Sequence, residues 1–548
     1  MEKYVIGCDF GTISMRTLLV NAHNGHIAAE EIYEYEHAVI TGSLPESGVA
    51  LDGPDWALQD PDDYLRALTT CIPSVIGKSG VAPEQIVGIG VDFTLCTVVP
   101  TDENLAALCT HPQWRNRPHA WVKLWKNHTA WQEADDITRY VQHNGLDTLD
   151  SYGGSSFSEF FFPKVWEVFR KDPEVYNAAH TFMEGGDFVV SRLCGKLARS
   201  GVLAGAKGYY NNETGAYPSR QFFRGLDPGL ENIVRDKHLH SVVPVGSVAG
   251  NLTPEMAREL GLPAGIIVCA AHGDAAVTLP GCGIAKPNIM SFIMGTSTCH
   301  VMMAREKVNI PGMSAVYYEG VLPGYYCYEA GQSAVGDIFG WFCDNYTPAA
   351  YAQEAASRGI SALEIMGEKA AHLNIGQGGL VALDWMNGNR CVLSDTSLSG
   401  MILGLTLATK PEEIYRALLE ATAFGTKIIV DRFGEYGVAV NEVYACGGLA
   451  HKSPLLMQMY ADVLGRTIHV SGNKQTAALA SALFAAVAAE VHGSYEAAVA
   501  SMIPAPSRTY HPDADSTQQY AKLFGTYKQL HDYFGLGEGA ALMKGLRT

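Results

Sequence analysis

Two short stretches in opposite halves of the chain, CDFGTISM at 8–15 and IMGTSTCH at 293–300, share one device: a hydrophobic strand, a tight Gly-Thr turn, and a second strand. A turn of this kind aims main-chain N–H groups and a hydroxyl at an oxyanion. An aspartate at the strand end, here Asp9, can hold the water shell of Mg2+. One such turn is an ordinary hairpin with a polar tip. Two of them in separate halves predict a duplicated α/β domain whose turns grip a polyphosphate from both sides.

A chain of 548 residues exceeds what one hydrophobic core serves, so two large domains are expected, 1–265 and 266–548, with room for a cleft between them. Apolar residues at 47% and charged residues at 18% suit a chain folded throughout. The net charge of -18 argues against nucleic acid and anionic membrane surfaces as partners, because both require clustered Lys and Arg. It leaves a nucleotide admissible, since a few amides and a metal ion bind phosphate locally.

The opening MEKYVIGCDF lacks the features of a secretory leader. The apolar run LASALFAAVAAEV is too short and too Ala-rich for a membrane span. A soluble cytoplasmic protein is the expectation. Twelve cysteines without a C-x-x-C pair read as buried thiols of a reducing compartment. A homodimer is compatible with the sequence, which identifies no interface.

Strands are predicted at Val5–Asp9, Met15–Asn21 and Ile27–Glu34, the last two joined by an Asn-Gly turn in AHNGHI. A helix over Asp62–Ile76 leads to the strand IVGIGVDFT. The middle segments WVKLWKNHTAWQEADDITRYV and SYGGSSFSEFFFPKVWEVFRK read as helices and loops decorating a sheet, with Trp121, Trp125 and His128 at helical spacing. A second start falls at Ile266, and the second half continues with helices in KPEEIYRALLEATAFGTKIIVDRFGEYG, SPLLMQMYADVLG and TAALASALFAAVAAEV.

A third glycine element, YACGGLAHKSP, sets Gly447 and Gly448 between a strand and a helix, where backbone can approach a nucleotide. The order of the three elements resembles the acetate-kinase/hexokinase/actin-like ATPases and, within them, the FGGY carbohydrate kinases. GMILGLTLATKPEEIYRALLE follows that family's second signature except at Leu418; the first signature fits less well, because PKVWEVFRK has Lys164 but no Trp three residues later. GIGVDFTLCTVVP, LWKNHTA, SSFSEFFFPK, YEAGQSAVGDIFGWF, ALDWMNGNR and GGLAHKSPLLMQMYADVLGRTIHV are similar to the branch that phosphorylates L-ribulose.

The resemblance implies an α/β fold of two actin/hexokinase-like (ribonuclease H-like) domains around a central cleft, with ATP, Mg2+ and L-ribulose as ligands. Asp274 in AAHGDAA matches the family's catalytic base, and it also matches a metal contact; a helix-capping aspartate is the plainer alternative. Asp9 would organise Mg2+ through water, with Gly11, Thr12 and Ser14 near the terminal phosphates. Arg16 would contact phosphate or pair with a nearby acid. Gly295, Thr296 and Ser297 form the second phosphate turn, and Gly447, Gly448 and Lys452 face the nucleotide. Lys207 and Glu329 fall to the sugar, with the chain around Cys96 lining its site. Gln332, Asp337, Lys126 and His128 are weaker candidates, and His272 reads as structural. The competing readings are a kinase of D-xylulose or pentitols, and an actin-like ATPase switch that uses no sugar.

Overall fold

The computed structural model describes residues 2–238 and 241–546. Among them lie two mixed sheets of seven strands each. In the first, Tyr4–Phe10, Ser14–Asn21 and Ile27–Glu34 form an antiparallel meander. Ile86–Phe93 runs parallel to Tyr4–Phe10 on its other side, followed by Ile267–Cys269, parallel, and Val248–Asn251, antiparallel at the edge.

The second sheet repeats this order. Ile289–Met294, Thr298–Ala304 and Tyr326–Gln332 are antiparallel, and Glu442–Cys446, Ile468–Val470 and Arg508–Tyr510 follow as parallel, parallel and antiparallel neighbours. Ala315–Tyr318 adds one strand beyond Tyr326–Gln332. The duplication expected from two short turns therefore extends over six strands in each half.

The halves do not part where expected. Ile267–Cys269 and His272–Gly273 both pair with Ile86–Phe93 of the first sheet, and the helix Asp274–Gly281 follows directly. The chain passes to the second sheet only between Gly281 and Ile289, later than residue 265. A hydrophobic run after a loop marks a strand but not the sheet it joins.

Local chemistry explains the element ends. The helix Pro61–Ser79 starts where the Asp60 side chain accepts from the Asp62 amide and Pro61 occupies the first turn; it stops at Gly80, whose φ of 67° only glycine adopts cheaply. The stretch after Trp121 is not helical as predicted. Val122–Lys123 pairs as a short strand with Leu58–Gln59 and Val98, and the helix begins only at Trp131. Sheet pairing there overrides the helical spacing of the rings, and it turns Trp125 toward a cavity.

One late helix ties the second half to the first. Thr476–Ala488, TAALASALFAAVA, lies on the strands Tyr4–Phe10 and Ile86–Phe93. Contact is so close that a Cβ on Gly7 or Gly90 would sit 1.9 Å from the carbonyl oxygen of Ala478 or Ser481. Glycine in the strands and alanine and serine on the helix are thus one steric solution. Among the described residues no helix is long and apolar enough to cross a membrane.

Candidate active site

Both glycine turns open onto one cavity of about 320 Å3 between the halves. On one side the hairpin closes with Gly11 N donating to Ser14 O at 3.0 Å; on the other Gly295 N donates to Ser297 O at 2.9 Å. Gly11, Thr12 and Arg16 line the cavity from the first turn, and Gly295, Thr296 and Ser297 from the second. Ser14 does not: it is buried in the strand behind the tip.

The first turn is braced from behind. Gln59 Nε2 donates to Thr12 O at 2.7 Å, while Tyr64 donates its hydroxyl to Gln59. Trp125 Nε1 donates to Thr12 Oγ1 at 3.0 Å, so the Thr12 hydroxyl keeps its own hydrogen for an incoming oxyanion. Arg16 reaches Asp9 at 3.3 Å, the pairing alternative of the two weighed for it, and both still face the cavity.

The second turn is anchored by the start of the helix Gly336–Tyr346. Val335 and Asp337 amides donate to Thr296 O and the Gly336 amide to Gly295 O. Gly447, at φ 89°, passes so close that a Cβ would lie 2.4 Å from Met294 O. Gly447 and Gly448 therefore adjoin the Gly295 turn, outside the cavity itself. Lys452 is exposed one helical turn further on.

Asp274 is the first residue of its helix and lines the same cavity. Burial pushes its carboxyl up to about 7; the Ala275 amide opposes this, Asp9 and Glu329 add to it, and Lys207 opposes it. A carboxyl poised near neutrality is suited to accept a proton. Beside it, Lys207 Nζ meets Glu329 Oε1 at 3.1 Å, an ion pair joining the halves with both side chains nearly sealed from solvent. Burial works against the Lys207 charge, but Glu329 and then Glu159 hold its pKa above the usual range.

Cys96 shapes the wall through its backbone. Its thiol is buried, its φ is 62°, and its carbonyl accepts from Lys164 Nζ at 2.7 Å. Lys164 also donates to Leu124 O at 2.7 Å, so one buried ammonium staples the loop carrying Thr94 and Leu95 to the loop carrying Trp125. Burial lowers its pKa to about 8.

The four weaker candidates are placed elsewhere. Gln332 is consumed by Asp384, Thr422 O and Thr426, a structural brace. Asp337, Lys126 and His128 line an adjoining outer chamber of about 760 Å3, where His128 meets Ser158. His272 is buried with each ring nitrogen near a main-chain carbonyl, as a structural histidine is.

Sequence reasoning missed Asp92, Trp125, Glu159 and Arg390. Asp92 lies in parallel register with Asp9, is fully buried, and accepts from Ser481 Oγ at 2.6 Å. Burial, then the charge of Asp9, pushes its pKa well above the carboxylate range. The signal was present: Asp-Phe ends both strands, and Phe10 and Phe93 stack at 5.2 Å. Glu159 and Arg390 lie within SSFSEFFFPK and ALDWMNGNR, but nothing local pairs them, because 231 positions separate two residues that meet across the cleft.

Solved structures share this fold: a xylulose kinase from Rhodospirillum rubrum at TM-score 0.78 and 21% identity, over 97% of this chain and 99% of that one, and Plasmodium falciparum glycerol kinase with ADP at 0.75 and 15%, over 96% and 98%. At the sequence level, the ribulokinase of Anoxybacillus flavithermus is 46% identical over 548 residues, covering 99% of this chain and 96% of its own length. The ribulokinase of Mycolicibacterium smegmatis is 42% identical over 546 residues, covering 100% and 96%. The model for the N-terminal domain of the FGGY family of carbohydrate kinases matches residues 4–281 and that for its C-terminal domain residues 290–489. Matched in both domains and over nearly its whole length, the chain belongs to the FGGY family of carbohydrate kinases.

Proposed function

We propose that this chain transfers the terminal phosphoryl group of ATP, bound with Mg2+, to the 5-hydroxyl of L-ribulose. The products are L-ribulose 5-phosphate and ADP, in a cytoplasmic route of L-arabinose breakdown. The observation that carries the reading is the shared cavity: Asp274, near its neutral point, opens a helix between two oxyanion-binding turns and a buried Lys207–Glu329 pair. Relatives named ribulokinase, 40 to 46% identical over nearly the full chain, supply the sugar. Free cysteines at all twelve positions agree with a reducing compartment.

Among the described residues no group of three or more His, Cys, Asp or Glu can hold a metal by itself, while Asp9 and Asp274 share the cavity. That donor set fits Mg2+, which keeps several waters and takes one or two carboxylates plus phosphate oxygens. When bound, the ion neutralises phosphate charge. The chain's own groups do the rest. The Gly11–Thr12 and Gly295–Ser297 turns position the terminal phosphates, with Arg16 beside them. Lys207 and Glu329 orient the sugar hydroxyls, and Asp274 accepts the proton of the 5-hydroxyl as its oxygen attacks phosphorus. Phosphoryl transfer depends on positioning and charge neutralisation, so turns and one base suffice.

The test is ADP release from MgATP with L-ribulose, D-ribulose, D-xylulose and ribitol, for the wild type and Asp274→Ala. L-ribulose should give the highest turnover, and the variant should lose about 10²- to 10⁴-fold in kcat while still binding nucleotide. Equal ADP formation with and without sugar would overturn the kinase reading, and full activity in the variant would remove Asp274 as the base.

A further inference from the structure

Four side chains of alternating charge cross the cleft, the two halves contributing in turn. Lys207 of the first half meets Glu329 of the second at 3.1 Å; Glu159 of the first meets Arg390 of the second at 3.3 Å, with the polarity reversed. The chambers they line order them: Asp9, Asp274 and Glu329 line the inner cavity alone, Lys207, Glu159 and Arg390 line both it and the outer chamber, and His128 lines the outer chamber alone.

The outermost pair is loosely made. Only Arg390 Nη2 donates, reaching both Glu159 oxygens at 3.3 and 3.4 Å, in place of the two-nitrogen fork by which arginine holds a carboxylate tightly. Arg390 Nη1 and Nε have no hydrogen-bond acceptor among the described residues. Both side chains line the inner cavity as well as the outer chamber. The Arg390 side chain lies over Gly331, two residues beyond Glu329 on the same strand, where glycine is required by the Thr298 carbonyl oxygen, 2.9 Å from where a Cβ would sit.

A ketopentose with its 5-hydroxyl at Asp274 and its middle hydroxyls on Lys207 and Glu329 presents its carbonyl end to this outer pair. We propose that Glu159 and Arg390 are specificity-determining residues for that end, Arg390 donating to the C2 carbonyl oxygen and Glu159 accepting from the C1 hydroxyl. The proposal rests on the sugar kinase reading. A carbonyl oxygen accepts and cannot donate, which matches the spare arginine N–H groups. The Glu159 carboxylate is 15% exposed and held only by one arginine nitrogen, so a sugar that covers it without offering a hydroxyl loses a hydrogen bond, which makes the C1 hydroxyl a discriminating feature.

The experiment compares kcat/KM for L-ribulose and 1-deoxy-L-ribulose in the wild type, Glu159→Ala, Glu159→Gln and Arg390→Met, with thermal melting and KM for ATP measured alongside. The wild type should prefer L-ribulose at least tenfold, and Glu159→Ala should bring the two sugars within about threefold of each other. Arg390→Met should raise KM for L-ribulose tenfold or more and leave KM for ATP unchanged. Should Glu159→Ala fail to fold, Glu159→Gln, which keeps the shape and loses the charge, should still narrow the preference. An unchanged ratio in the folded Glu159 variants would reduce the pair to a structural latch and overturn the proposal. A wild type that phosphorylates neither sugar would overturn the kinase reading and this inference together.

Discussion

The Asp274 carboxyl sits where its burial and the nearby acids work against ionisation, so its pKa rises to about 7. A base acts in its ionised form, so activity is present above that value and lost below it. The expected profile of kcat/KM for L-ribulose falls about tenfold per pH unit below about 7 and levels off above. Asp274→Asn should abolish that inflection; a profile flat from pH 5 to pH 8 would remove Asp274 from the role. Lys164 acts at the same scale through other residues. Replacing it by Met leaves the Cys96 and Leu124 carbonyls buried without a donor, which costs about 1–3 kcal/mol. Denaturant unfolding should register the loss, and KM for the sugar and for ATP should both rise, because the loosened loops carry Leu95 of the cavity wall and Trp125, which braces Thr12 of the first turn.

Between elements, the Ala-rich helix Thr476–Ala488 and the glycine-bearing strands Tyr4–Phe10 and Ile86–Phe93 define each other. Gly90→Ala pushes a methyl to 1.9 Å from Ser481 O, which only movement of the helix can relieve. Overpacking of this kind costs about 1–3 kcal/mol or more. Because Ser481 also donates to Asp92, beside Asp9, the variant should lose turnover as well as stability; a normal kcat in a destabilised protein would uncouple the helix from the site. Strand identities were legible from hydrophobic runs and turn residues. The extended stretch at Val122–Lys123 was not, because its partners Leu58–Gln59 and Val98 are distant in sequence and local spacing mimics a helix.

For the whole molecule, the cleft between the two sheets predicts closure when both ligands are bound, since excluding water suppresses wasteful ATP hydrolysis. Small-angle scattering should show a smaller radius of gyration with MgADP and L-ribulose together than with either alone, and an unchanged profile would count against hinge motion. The amino-acid sequence by itself determined the two glycine turns and the duplicated α/β order, because these features are local patterns of residue type, and through family resemblance it pointed to Asp274, Lys207 and Glu329, which line one cavity. Only the tertiary structure decided that Ser14 turns away from the cavity, that Asp92 stands beside Asp9, and that Glu159 of one half meets Arg390 of the other. Those facts depend on register and on contacts between distant segments, and a linear string carries neither until the sheets pair and the halves pack.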